Sequence, residues 1–256
     1  MMSHVRSWLV IFIVLSGVSA GCSSKHQVNA TLSDTMPPKF VWAWERPEDL
    51  RFLDPQKVGV AFLAQTVYVS ADTVSPRPRR QPFEVSPGSY VIAVTRIETV
   101  KELGKQPLYS SQQRSKIVNL ILRTVELPDV RAVQIDFDAV ASERQFYRLL
   151  VTDLRTRLPE NIPLTITSLA SWCAGDNWFN DFPIDEAVPM AFRMGSDDQK
   201  IRRFLKDGND WNEPLCRGSY GVSIDEPLEI EFKPGRRIFY FKDAAWTRSD
   251  LIRIER

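Results

Sequence analysis

The chain has 256 residues, 43% of them hydrophobic and 25% charged, and a formal net charge of +1 at pH 7. These are the proportions of an ordinary globular protein, and a charge so near zero excludes the strong basic bias of a dedicated nucleic-acid binder. The length suits one large core, and no repeat at solenoid or propeller spacing is present.

The N-terminal residues set the compartment. His4 and Arg6 precede an apolar run at residues 8–15 (WLVIFIVL), and small residues follow at 16–21 (SGVSAG). Basic, apolar and small residues in that order make a secretory leader, and the apolar run is too short to span a bilayer. Ala20-Gly21-Cys22 resembles a lipobox, which implies lipidation of Cys22 after removal of the leader. Ser19 stands where lipoboxes usually carry Leu, and Val18-Ser19-Ala20 leaves ordinary signal-peptidase cleavage open. The expectation is a cell-envelope protein held at a bacterial membrane by lipid, and Ser23 is compatible with outer-membrane sorting. Residues 23–39 lack apolar periodicity and contain Pro37-Pro38, the marks of a tether. A single domain is expected over residues 40–256.

Within that domain, residues 40–45 (FVWAWE) predict a strand and residues 47–53 a short helix. Residues 58–64 form a second strand. Residues 65–70 and 81–85 read as hairpin arms around the Pro/Arg-rich segment 74–80. Further strands are predicted at 90–97, 131–138, 164–169, 187–193, 219–224 and 238–241. Helices are predicted at 111–125, 142–158 (with Ser142 as N-cap), 197–206 and 248–255. Strands alternating with helices imply right-handed crossovers and a parallel sheet. The predicted fold is therefore α/β: a compact, irregular (β/α)8 TIM-like barrel with a β-hairpin insertion after strand two. A doubly wound sheet is the alternative, and the lack of a Gly-rich turn after the first strand excludes its nucleotide-binding form.

Strand alternation selects the candidate site. Val133, Ile135 and Phe137 share one face of their strand and suit outer helices, while Gln134, Asp136 and Asp138 share the inward face. Asp138 then lies at the C-terminal mouth, where barrel enzymes keep their sites. Two carboxylates so close repel, and burial raises the pKa of at least one, which is how a general acid is made. Thr165 and Thr167 face inward on the fifth strand, Ser223 and Asp225 on the seventh, and Glu226 follows. Glu45, Arg96, Glu98 and Arg193 stand at other strand ends, with Arg193 a natural partner for one of the aspartates. Trp44 and Trp172 are the rings placed to stack on a sugar, and Trp178 reads as core. A His-activated nucleophile and a His-based zinc site are excluded from the domain, since His4 and His26 both precede it. No cofactor or metal is implied. Cys173 follows strand five at the top of the barrel and Cys216 precedes strand seven at the bottom. That placement argues against a disulfide, although export permits one.

The motifs together resemble a bacterial family, the domain of unknown function number 3142. They are VWAWERPEDL at 41–50, QIDFDA at 134–139, LASWC at 169–173, DEAVPMAFRMG at 185–195 and GVSIDEP at 221–227. The resemblance spans nearly the whole domain and implies a barrel related to glycoside hydrolases, without an established activity. The fourth strand is also similar to the Asp-x-x-Asp-x-Asp-x-Glu strand of chitinase-like glycoside hydrolases. Asp136 and Asp138 match its last two aspartates, while Val133 replaces the first and Val140 stands at the catalytic Glu. Hydrolysis would then need another carboxylate pair, and Asp138 with Asp225 or Glu226 is the expected one. The implied function is a glycoside-hydrolase-like barrel acting on an envelope or exopolysaccharide glycan. The alternatives are a non-catalytic glycan-binding or scaffolding lipoprotein, and a protein-interaction module using residues 73–80 (TVSPRPRR) as a basic docking hairpin.

Overall fold

The computed structural model describes residues 36–255. The expectations for the leader, lipidated Cys22 and most of the tether lie outside the described residues. Eleven strands run in chain order as β1 (Lys39–Ala43), β2 (Glu48–Asp49), β3 (Val58–Ser70), β4 (Thr73–Pro78), β5 (Phe83–Glu84), β6 (Val91–Thr99), β7 (Val130–Asp136), β8 (Leu164–Leu169), β9 (Glu186–Met190), β10 (Ser219–Ser223) and β11 (Arg237–Phe241). The α-helices are α1 (Ser111–Thr124), α2 (Arg144–Arg155), α3 (Asp198–Lys206) and α4 (Leu251–Glu255). Among the described residues, no helix is long and apolar enough to cross a membrane.

Strand β1 pairs in parallel with both β11 and β3, which closes the sheet. The ring contains eight parallel strands, β1, β3 and β6 to β11, and is the expected (β/α)8-type barrel. Alternation sorts the side chains as the sequence predicts. Val133, Ile135 and Phe137 pack in the outer layer with Ile117, Ile121, Tyr147 and Leu150 of α1 and α2. The interior is filled by Phe40, Trp42, Ile92, Val94, Val188 and Phe239. Two glycines make room for the large rings. A Cβ on Gly59 would stand 2.3 Å from the Phe40 ring, and one on Gly221 would stand 2.8 Å from Trp42. At the N-terminal end, Arg237 and Glu186 form an ion pair at 2.9 Å.

Four details differ from the sequence expectation. Residues 47–53 are not helical, because Glu48 and Asp49 form β2 and pair with β5 beyond the hairpin. The hairpin's return arm is β4, not residues 81–85. Its prolines fit because Pro76 and Pro78 lie on the edge strand of the sheet, where a missing N–H breaks no ladder. Ser142 is not the cap of α2. Residues 141–143 form a 3-10 turn, which the Glu143 carboxylate closes by accepting from the Val140 amide at 2.8 Å, and α2 starts after Glu143 without a side-chain cap.

The fourth difference is the disulfide. Cys173 and Cys216 are bonded, with Cα atoms 5.9 Å apart. The segment leading into β10 does not stay at the bottom of the barrel. It lies over the outer face, and the Asn212 and Glu213 amides donate to the Cys173 carbonyl at 2.9 and 3.1 Å. The turn at Trp172–Asp176 folds out from the top of β8 to meet it. Both sulfurs end beside Ser168, so the barrel's top-to-bottom rule does not separate them.

Candidate active site

A cleft of about 520 Å³ opens at the C-terminal end of the barrel. Its floor is Trp42, an inward residue of β1 that is only 2% exposed. The Trp42 indole donates to Gln134 at 2.9 Å, and the Gln134 amide donates to Thr165 at 3.2 Å. Gln134 is thereby buried beneath the cleft as part of its support and does not line it.

The two aspartates of the β7 end are treated in opposite ways. Asp136 is buried, accepts from Thr167 Oγ1 at 2.7 Å and pairs with Arg96 at 2.9 Å. Glu98 takes another nitrogen of the same guanidinium at 2.8 Å. Asp138, two residues on, accepts no hydrogen bond from the described residues and opens at the cleft mouth. Its carboxyl is reachable by solvent but stands in a concave wall. Loss of water around it, and then the Asp136 charge, push its pKa up to about 6, with Arg96 pulling the other way. One strand end therefore carries a carboxylate locked in an ion pair and a carboxyl that holds its proton into the mildly acidic range.

The loop bearing Asp138 is anchored by Glu143, a buried carboxylate that also accepts from Thr99 at 2.5 Å, from Tyr109 at 2.9 Å and from Lys101. Burial opposes its charge, and these donors together still hold the Glu143 pKa below the usual range.

The facing wall comes from the barrel's closure. Trp44 follows β1, is half-buried, and meets Phe241 of β11 edge-on with ring centroids 6.2 Å apart. Phe241 itself stacks on Phe192 at 5.1 Å. Asp243, just past β11, lines the cleft and pairs with Arg193. Arg193 is therefore not the partner of Asp136 or Asp138, because Arg96 on the neighbouring strand reaches Asp136 first.

Four other expected residues stand apart from the cleft lining. Glu226 is held outside it by Arg202 and by the Arg193 amide at 3.1 Å. Asp225 accepts from the Asp243 amide at 2.8 Å, which joins the ends of β10 and β11. Alternation mispredicts Asp225 because the chain bends directly after Ser223. Trp172 is 4% exposed and packs edge-on against Trp178 at 5.1 Å in the outer core. Glu45 turns toward the hairpin and pairs with Arg77 at 3.5 Å.

The sequence reading missed Trp42, Arg46, Phe192, Phe241 and Asp243, all cleft residues. Alternation from Trp44 would have found Trp42 and placed Phe241 at its strand end. Arg46 and Asp243 lie beyond strand ends and carry no periodic signal. Among the described residues, no group of His, Cys, Asp or Glu is arranged to hold a metal ion.

No family model and no curated protein matches the chain, so the resemblance to domain 3142 rests on its motifs. The solved structures similar to this chain include these two. The spore cortex-lytic enzyme SleL of Bacillus cereus shares 16% identity at a TM-score of 0.47, over 74% of this chain and 51% of that one. The chitinase domain of the spore coat protein CotE of Clostridium difficile shares 14% identity at a TM-score of 0.40, over 64% of this chain and 52% of that one. The chain thus spans about half the length of the structures it matches.

Proposed function

We propose that this protein binds an envelope glycan across the barrel mouth and hydrolyses it, with Asp138 as the proton donor, while lipid on Cys22 holds it at the membrane. The observation that carries this reading is the Asp138 carboxyl, unpaired among the described residues and raised to about 6 beside an Asp136 already committed to Arg96. A hydrolase also needs a second carboxylate. Asp225 and Glu226 are engaged outside the cleft, so that role passes to Asp243. In the eight-stranded ring, β7 and β11 are four strands apart, which sets Asp138 and Asp243 on opposite walls. Asp138 gives its proton to the glycosidic oxygen as that bond breaks. A water whose proton goes to the Asp243 carboxylate adds to the anomeric carbon. With the water standing between the two groups, the reaction inverts the anomeric configuration.

The test is hydrolysis of a panel of hexasaccharides of glucose, glucosamine, N-acetylglucosamine and galacturonate. Asp138→Asn should lower turnover by about 10²–10⁴-fold with affinity retained. Wild-type activity should decline as pH rises through about 6, where Asp138 loses its proton. The anomer first released, read by proton NMR, should be inverted. Retention would sink the pair, and turnover unaffected in Asp138→Asn would sink the acid. Membrane fractionation of a Cys22→Ser chain tests the anchor, since an unlipidated protein should leave the membrane.

A second reading is a non-catalytic glycan-binding lipoprotein. It is favoured by Val140, 48% exposed at the position where the chitinase-like pattern has its catalytic Glu. Binding without turnover on the same panel would establish it.

A further inference from the structure

Beside the Arg77–Glu45 pair, the hairpin inserted after the second barrel strand reaches the main chain of the first barrel loop through Arg79. Arg79 sits just beyond β4, and its amide donates to the Ala64 carbonyl at 2.8 Å. Ala64 is the residue skipped where the β3–β6 register shifts between Leu63 and Gln65. The bulge thus releases a carbonyl from the barrel ladder, and the hairpin uses it to fix Arg79 in place.

From there the guanidinium reaches under the first barrel loop. Its Nη1 donates to the Trp44 carbonyl at 2.5 Å, its Nη2 to the Arg46 carbonyl, and its Nε to the Gln81 carbonyl at 3.1 Å. The guanidinium lies 5.5 Å from the centre of the Phe83 ring, which stacks on Phe62 of β3 at 4.5 Å. The charge is half-buried, and the loss of water lowers its pKa, although Glu48 and Glu45 oppose that. A half-buried cation loses hydration, and these main-chain carbonyls offset that loss by accepting its hydrogen bonds.

The two carbonyls belong to cleft residues. Trp44 carries the half-buried ring of the aromatic wall. Arg46 continues the chain of contacts, because its own guanidinium donates to the Asp243 and Lys242 carbonyls at 2.6 Å each. Hairpin, Arg79, the Trp44–Arg46 main chain and the Asp243 loop therefore form one series across the seam where β11, β1 and β3 close the barrel. We infer that Arg79 is a positioning residue: from outside the cleft it sets the main chain at Trp44 and Arg46, and so holds the aromatic wall and the Asp243 loop in ligand-ready geometry. This rests on the glycan reading for its consequence, but the positioning itself can be observed without a ligand.

A planar fork meets two carbonyls at once, and a lysine ammonium on a flexible stem does not reproduce it. The experiment compares wild type, Arg79→Lys, Trp44→Phe, Trp44→Ala and the double variant of Arg79→Lys with Trp44→Ala. In the full chain labelled with ¹⁵N, the Trp44 indole N–H resonance is assigned by its loss in Trp44→Phe. Arg79→Lys should shift or broaden that resonance while those of Trp178 and Trp211, across the barrel, stay in place. In titrations with the four hexasaccharides, Arg79→Lys should weaken the wild type's best binding by roughly tenfold or more. The same substitution should cost little further once Trp44 is already Ala, whereas a purely structural role would add its full effect. An unmoved Trp44 resonance in folded Arg79→Lys would overturn the inference. So would full additivity with Trp44→Ala. If no hexasaccharide binds wild type yet the Trp44 resonance responds, the glycan reading fails and the positioning role stands.

Discussion

The barrel has two unlike halves. Around β6, β7 and β8 the connections are the amphipathic helices α1 and α2, and the ladder is nearly regular. From β9 through the β11–β1–β3 seam, the connections are mainly loops, a hairpin and a disulfide-bonded segment, with α3 the one α-helix between consecutive barrel strands there. The regular half supplies Asp136, Asp138, Arg96 and Thr167. The irregular half supplies Trp44, Phe241, Arg193 and Asp243. A strand end backed by a helix fixes charged groups relative to each other. Loops braced by arginines and a disulfide shape the wall they face.

The largest expected effect tests whether the disulfide stands in for a helix as outer wall. Removing it with Cys173→Ser and Cys216→Ser together should cost about 3–4 kcal/mol, the loop-closure scale for a separation of 43 residues. Urea unfolding measures this directly. A loss below about 1 kcal/mol would mean that the packing of Trp172, Trp178, Phe179 and Phe182 holds that wall without the bond.

A smaller effect is expected in the regular half. Arg96→Gln leaves Asp136 buried with Thr167 as its remaining partner. Breaking a buried pair costs several kcal/mol, and the partial exposure of Arg96 reduces this to about 2 kcal/mol. Arg96 also pulls the Asp138 pKa down, so its loss should move the pH limb of activity upward from about 6. A downward move would mean that Arg96 does not favour the charged form of Asp138.

The same division decides how much was legible in the sequence. Gln134, Asp136 and Asp138 were readable because the period-2 pattern of β7 is unbroken and its other face is apolar. Trp44 and Arg96 were readable as strand ends, and the hairpin as a break in strand–helix alternation. Arg46, Arg79 and Asp243 were not, since beyond a strand end the chain follows local turns and long-range carbonyls rather than a period. The disulfide was missed for a related reason. Residues 207–218 have no amphipathic pattern, so nothing local indicates that they lie along the outer face as far as Ser168. Asp225 and Glu226 were misplaced by extending alternation past the bend after Ser223.

The smallest expected effect concerns Asp138 and stability. Its pKa is higher in the fold, about 6, than its ordinary value of 3.8. Between those values the folded state binds more protons than the unfolded one, so stability falls as pH rises through that window. Above about 6 the carboxylate is a standing cost to the fold. A rise of that size corresponds to about 3 kcal/mol at most, and solvent at the cleft mouth reduces it to about 1 kcal/mol. Asp138→Asn should therefore stabilise the protein by about 1 kcal/mol at pH 8, with the gain shrinking to nothing near pH 4. Thermal unfolding at the two pH values reads the difference. A variant more stable than wild type but without its turnover is what a strained functional carboxyl produces, since stability is given up where the chemistry needs it. A variant less stable at both pH values would instead make Asp138 an ordinary structural residue of the strand end, and the cleft would lose its proposed acid.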